Sequence, residues 1–169
     1  MASFTPTVLI VESDSKETEL ISELILELGK VQIDTTNSSS RAVEHVSRVT
    51  YQLVVADMVV GDIDGISLLE RIKRISPSTS VIITSGQGTI EEAIKSVKLG
   101  AEDYFKKPFN IEQFKLSVRG ALGRRDLYTG DNRVAGMMML LNASQLVSSC
   151  LEEEKILETV MVYLKREVA

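Results

Sequence analysis

The stretch LVVADMVVGDIDG at residues 53–65 constrains this chain more than any other, because its character changes at one residue. Leu53 to Ala56 form an unbroken apolar run. A strand with one wet face would alternate, so this run belongs inside a parallel sheet covered on both sides. It stops at Asp57 and then turns through Gly61, Asp62, Asp64 and Gly65. Open parallel sheets bind ligands outside the carboxyl ends of their strands. The spacing therefore predicts a buried strand that delivers one acid, Asp57, to a loop where chemistry is done.

Other apolar runs end in the same way. VLIVESD at 8–14 reads as a strand ending in acid that leads into a helix, with Asp14 and Glu17 at capping-box spacing. Leu20, Ile21, Leu24, Ile25 and Leu28 form the buried face of that helix, and Gly29 ends it. A short strand is expected over 31–35, then a helix over about 41–49 capped within Ser38 to Ser40, with Ala42, Val43 and Val46 inward. Ile66, Leu69, Ile72 and Ile75 mark a further helix stopped by Pro77. Residues 80–84 make a strand that exits into Ser85-Gly86-Gln87-Gly88, and Thr89 with Glu92 forms a capping box opening a helix to about Gly100. DYFKKPF at 103–109 is a short strand ending in lysines and a proline, followed by a helix over 111–122. Five strands alternating with five helices call for right-handed βαβ units, a doubly wound α/β fold.

We place a domain over residues 1–123 and a polar linker over 124–133. Residues 134–169 then form a helical extension. Val134, Met137, Met138, Leu141 and Val147 can share one apolar stripe, and Ile156, Leu157, Val160, Met161, Leu164 and Val168 another. Its methionines suit an adaptable packing surface, for which the expected partner is a second copy, the first domain or a domain absent from this chain.

Four strand ends converge on one edge of the sheet and bring Glu12, Asp57, Thr84 and Lys107. A carboxylate nucleophile, a second carboxylate for a divalent cation, a hydroxyl and a fixed ammonium are what phosphoryl transfer to an aspartate needs. Composition narrows the cation. With one cysteine, Cys150, and one histidine, the chain has neither an internal disulfide nor a Cys/His metal site, so a metal must be a hard ion held by oxygen. A net charge of −5 argues against nucleic acid as the main partner. No run reaches a membrane span and the amino terminus lacks a signal-peptide pattern, so the cytoplasm is the expected location.

VLIVES, VVADMVVGDIDG, VIITSG and GAEDYFKKPF, in that order and spacing, make residues 7–122 resemble the receiver domain of bacterial two-component response regulators. The resemblance implies a flavodoxin-like five-stranded sheet of order 2-1-3-4-5. It further implies that Asp57 is the phosphoacceptor, that Lys107 precedes Pro108 across a cis bond, that Thr84 is the switch hydroxyl, and that Tyr104 is the aromatic that changes rotamer with it. Mg²⁺ would be held by Glu12, Asp57 and the backbone carbonyl of Val59. The implied donor is a phosphohistidine on a sensor histidine kinase. A homodimer through the fourth helix, fifth strand and fifth helix, or through the carboxyl-terminal helices, is a further expectation.

Two departures stand out. The family has two acids after the first strand, and here they are Glu12 and Ser13, which implies weaker metal affinity; Asp14 could bend back but is more naturally a helix cap. Gly61 replaces a frequent proline. Ser13 motivates the alternative of a receiver-like scaffold that binds partners without phosphorylation. An aspartyl-phosphate hydrolase would carry a second Asp two positions after Asp57, where Val59 stands. Asp62 and Asp64 are expected as turn formers, His45 and Lys106 as surface residues, Cys150 as a small apolar filler, and Arg124-Arg125 is too short for a nucleic-acid patch. Residues 140–168 resemble the opening helices of a GAF sensory domain, which implies that the natural protein continues beyond Ala169.

Overall fold

The computed structural model describes residues 5–127, so the linker beyond Leu127, the methionine-rich stripes, Cys150 and the GAF-like segment lie outside the described residues. The chain divides after Arg124, and the first unit is the one described below. Its elements run β1 (Thr7–Val11), α1 (Ser15–Leu26), β2 (Gln32–Thr36), α2 (Ser39–Arg48), β3 (Leu53–Asp57), β4 (Val59–Val60), β5 (Ile63–Asp64), α3 (Gly65–Ile75), β6 (Ser80–Ser85), α4 (Ile90–Lys98), β7 (Asp103–Lys106) and α5 (Ile111–Leu127). The main sheet has the order β2-β1-β3-β6-β7, all parallel. With the two-residue hairpin β4–β5 set aside, this is the expected 2-1-3-4-5 order.

Alternation along the strands sorts the core into two layers. Leu9, Val11, Val54, Ala56, Val81 and Ile83 face Ala42 and Val46 of α2 and Ile66, Leu69 and Ile72 of α3. Val8, Ile10, Leu53, Val55, Ile82 and Phe105 face Ile21, Leu24 and Ile25 of α1 and Phe114 and Val118 of α5. β3 is buried along its whole length, as its unbroken apolar run requires.

The helix starts follow their caps. Asp14 accepts from the Lys16 and Glu17 amides, Ser38 from Arg41, and Thr89 forms the complete reciprocal box with Glu92. Asp64 caps α3 by accepting from the Ser67 amide, and Asp62 accepts from the Ser40 hydroxyl, so both carboxylates fasten loops as expected. Gly65 is required by close approach: a Cβ there would lie 2.7 Å from the Met58 Cα. Its amide donates to the Met58 carbonyl at 2.8 Å, which pins the loop that follows Asp57. Gly61, with φ of 68°, takes the left-handed corner of the β4–β5 hairpin, a conformation closed to the proline it replaces.

Several boundaries differ from the sequence expectation. β2 starts and ends one residue later and α2 begins two residues earlier, at Ser39. Leu20 and Ile75, expected on buried stripes, are 45% and 42% exposed, while Leu68 is fully buried. α5 runs past 122 to Leu127, so the polar stretch at Arg124 begins inside a helix. His45 is half-buried and not a plain surface residue: its Nδ1 lies 3.1 Å from the hydroxyl of Tyr51, a fully buried side chain that donates to Asp34 at 2.7 Å.

Candidate functional site

The same alternation that builds the α1/α5 layer places the site. Glu12 continues the row of Val8 and Ile10, Asp57 that of Leu53 and Val55, Thr84 that of Ile82, and Lys107 that of Phe105. Strand register puts Asp57 directly beside Thr84. All four emerge at carboxyl ends on one side of the sheet.

Lys107 joins the acids. Its Nζ donates to Glu12 Oε2 at 2.8 Å and to Asp57 Oδ2, and it also donates to Glu17. Burial alone would lower the Lys107 pKa, but hydrogen bonds to Asp57, Glu12 and Glu17 outweigh it and hold the ammonium well above its ordinary value. The peptide bond from Lys107 to Pro108 is cis. The Glu12 side chain is almost wholly buried, and its Oε1 accepts from the Ser13 amide at 2.9 Å and the Asp14 amide at 3.0 Å. Asp57 Oδ1 accepts from the Val59 amide at 2.7 Å. Both acids thus spend one oxygen on fixing local backbone and turn the other to the ammonium.

Thr84 is fully buried, and its Oγ1 has no hydrogen-bond partner. Buried hydroxyls nearly always find one. Tyr104 is placed differently: it pairs with Ile83, packs against the α2/α3 layer, and brings its hydroxyl against Gly88 in the loop after β6. Burial, foremost, pushes the Tyr104 phenol above its ordinary pKa, with Glu92 and Asp57 adding to the effect. The sequence-predicted residues Glu12, Asp57 and Lys107 therefore meet directly, Thr84 stands beside them, and Tyr104 lies across the sheet. Lys106 is exposed.

Glu17 is the residue that sequence reasoning missed. Its spacing with Asp14 suggested a reciprocal cap. The Asp14 amide donates instead to Glu12, and the Glu17 carboxylate turns to Lys107. A signal was present: Glu17 shares a stripe with Ile21, Leu24 and Leu28, the residues with which α1 faces the sheet. Carboxylate oxygens of Glu12, Glu17 and Asp57 lie within 4.8 Å of one another. Three carboxylates against one ammonium leave an excess of negative charge on hard oxygen donors, which suits a cation such as Mg²⁺.

Comparison with known proteins points one way. The sequence profile described as "Response regulator receiver domain" matches residues 8–119. The transcriptional regulatory protein TcrA of Mycobacterium tuberculosis (strain ATCC 25618 / H37Rv) is 33% identical over 118 residues, which cover 70% of this chain and 46% of that protein. The transcriptional regulatory protein ZraR of Escherichia coli (strain K12) is 29% identical over 115 residues, 68% of this chain and 26% of that one. The matched segment thus spans between about a quarter and a half of these curated relatives. Among solved structures, the signal receiver domain of a Luxo repressor protein from Vibrio parahaemolyticus superposes with a TM-score of 0.68 at 29% identity, covering 76% of this chain and all of that one. The beryllofluoride-activated NtrC4 receiver domain dimer gives a TM-score of 0.65 at 30% identity, covering 70% of this chain and 97% of that one.

Proposed function

The chain belongs to the response regulator receiver domain family, and from that premise we propose that Asp57 is its phosphoacceptor in a phosphorylation-dependent signalling switch. The observation that carries this reading is the double anchoring of Asp57: Oδ1 is held by the Val59 amide and Oδ2 by Lys107, at the carboxyl end of a wholly buried strand. A nucleophile so fixed loses little further freedom on reaction.

The donor is a phosphohistidine on a sensor histidine kinase. An Asp57 carboxylate oxygen bonds to phosphorus as the P–N bond breaks, and the imidazole leaves with that electron pair. Lys107 stays beside the acyl phosphate and offsets its charge. The Thr84 hydroxyl, unbonded before reaction, donates to a phosphoryl oxygen after it. Glu12, Asp57 and the Val59 carbonyl would hold Mg²⁺, which would supply charge neutralisation for the transfer. Hydrolysis of the acyl phosphate resets the switch.

Thr84 and Tyr104 carry the change outward as a shift between two arrangements of the β6–α4 region. Ile90, Ile94 and Val97 lie at helical spacing on α4 and are each at least 40% exposed. That apolar stripe supports a homodimer through α4, β7 and α5. Among the described residues no helix is long and apolar enough to cross a membrane, and we place the protein in the cytoplasm.

The test is direct. The full chain treated with acetyl phosphate and Mg²⁺ should gain the mass of one phosphoryl group, and Asp57→Asn should gain none. Equal labelling of both proteins would move the acceptor elsewhere. No labelling of either, with no response to beryllofluoride, would leave the domain as a scaffold.

A further inference from the structure

We propose that Glu17 replaces the family's missing second acid, so that the divalent cation is held by Glu12, Asp57 and a carboxylate supplied from the first turn of α1 and not from the loop after β1. The inference rests on the phosphoacceptor reading above and adds a ligand to it.

Ser13 occupies the position of the usual second acid, and it is exposed, with its amide donating to Glu12. Asp14, the nearest substitute, caps α1 by accepting from Lys16 at 2.8 Å and from Glu17 at 3.2 Å, and its carboxylate is not among those gathered with Asp57. Glu17 is different in all respects that matter. It lies on the sheet-facing stripe of α1, it is half-buried where Ser13 and Asp14 are exposed, and it reaches the same ammonium as Asp57 and Glu12. Its oxygen and theirs fall within 4.8 Å of one another. The distance along the chain is absorbed by helix geometry, since four residues bring a side chain on to the row of Ile21 and hence toward the strand ends.

The donor chemistry agrees. Glu12 Oε1 and Asp57 Oδ1 are held by backbone amides, so each of those acids has one oxygen to offer. Glu12 and Asp57 already outweigh the charge of the Lys107 ammonium, and a third carboxylate widens that excess. Mg²⁺ takes few protein carboxylates and completes its shell with water. Independently, the fully buried and unbonded Thr84 hydroxyl beside Asp57 marks this strand end as a place where a ligand oxygen is to arrive.

The experiment is a Mg²⁺ titration of the full chain followed through the amide signals of Asp57, Met58 and Val59, on the wild type, Glu17→Gln, Glu17→Asp and the double variant Ser13→Asp with Glu17→Gln. Circular dichroism establishes that each is folded. We expect both single variants to raise the Mg²⁺ Kd by about tenfold, or about 1.4 kcal/mol, with Glu17→Asp failing because it keeps charge but loses reach. Ser13→Asp should restore binding to Glu17→Gln by returning a carboxylate to the usual position. A wild type that binds Mg²⁺ with unchanged affinity in Glu17→Gln overturns the Glu17 assignment and leaves the phosphoacceptor reading intact. Wild-type affinity in Glu17→Asp beside weak binding in Glu17→Gln overturns direct ligation, since charge alone would then suffice. A wild type with no response at high millimolar Mg²⁺ overturns the reading on which the assignment rests.

Discussion

Thr84 sits beside Asp57 on the neighbouring strand, fully buried, with a hydroxyl that bonds to nothing. An unsatisfied buried hydroxyl costs about 1–3 kcal/mol. Thr84→Val keeps the shape of the side chain and removes the group responsible. We expect the variant to be more stable than the wild type by about 1 kcal/mol in urea denaturation, at the low end of that range. It should also lose the response to beryllofluoride at Tyr104, because no donor is left to meet the phosphoryl oxygen. A variant destabilised by as much would show that the hydroxyl is bonded in solution.

Among the described residues Lys107 is the cation that Glu12, Glu17 and Asp57 share, and removing it leaves them facing each other. Lys107→Met should destabilise the domain by about 2–3 kcal/mol at neutral pH, discounted from a fully buried pair because the Lys107 and Glu17 side chains are 15% and 39% exposed. Protonating the acids at low pH should remove most of the difference. The wild type has its own pH signature. The folded-state pKa of Lys107 is raised, so the stability it contributes is complete below the ordinary value of 10.5 and is lost as pH rises above it. Alkaline denaturation of the wild type should therefore be steeper than that of Lys107→Met, and parallel curves would count against the lysine as the keystone of the cluster.

How much of this could be read in advance depended on burial. β1, β3 and β6 are apolar because both of their faces are covered, and that signal survives in any reading. β2 is an edge strand with no fully buried residue, so its apolar signal is weak and its expected ends fell one residue early. The hairpin β4–β5 has two residues a side and looked like turn chemistry alone. Arg124, Arg125 and Asp126 looked like the start of a linker because a run of charged residues carries no apolar period, although α5 continues to Leu127. In the site, Glu12, Asp57, Thr84 and Lys107 were legible as strand ends. Glu17 was not, since its spacing to Asp14 fits a cap equally well, and only the path of the Asp14 amide to Glu12 decides between them.

Asp103 gives a pH dependence of opposite origin. Burial, chiefly, pushes its carboxyl above the ordinary 3.8, against hydrogen bonds from the Tyr104 amide and the Ser117 hydroxyl that pull the other way. An acid whose folded-state pKa is raised holds its proton better folded than unfolded. Its contribution is therefore most favourable below 3.8 and is lost as pH rises through the folded value. Asp103→Asn keeps an acceptor for the Tyr104 amide and removes the charge. The variant should match or exceed wild-type stability at neutral pH, and the two should converge in acid. A neutral-pH loss confined to the Asn variant would mean that the charge is paired after all.

Gly88 and Tyr104 offer a way to set the switch without phosphate. A Cβ on Gly88 would lie 1.7 Å from the Tyr104 hydroxyl and 2.7 Å from the ring carbon that bears it, so Gly88→Ala and the present ring position are incompatible. The obstacle is the end of a rotatable side chain, and Gly88 has no left-handed φ to lose, so the ring should move and the fold should survive at a cost of about 1 kcal/mol. Turned outward, the phenol escapes the burial that raises its pKa and should titrate closer to 10.0, which ultraviolet titration against Tyr104→Phe can read. If Tyr104 reports the position of Thr84, Gly88→Ala begins with the ring already displaced, and beryllofluoride should then add a smaller change in the Tyr104 ring signals than in the wild type. An unchanged phenol pKa with shifted amides at Ser85 to Thr89 would show that the loop yields and the ring does not, and would separate the tyrosine from the switch.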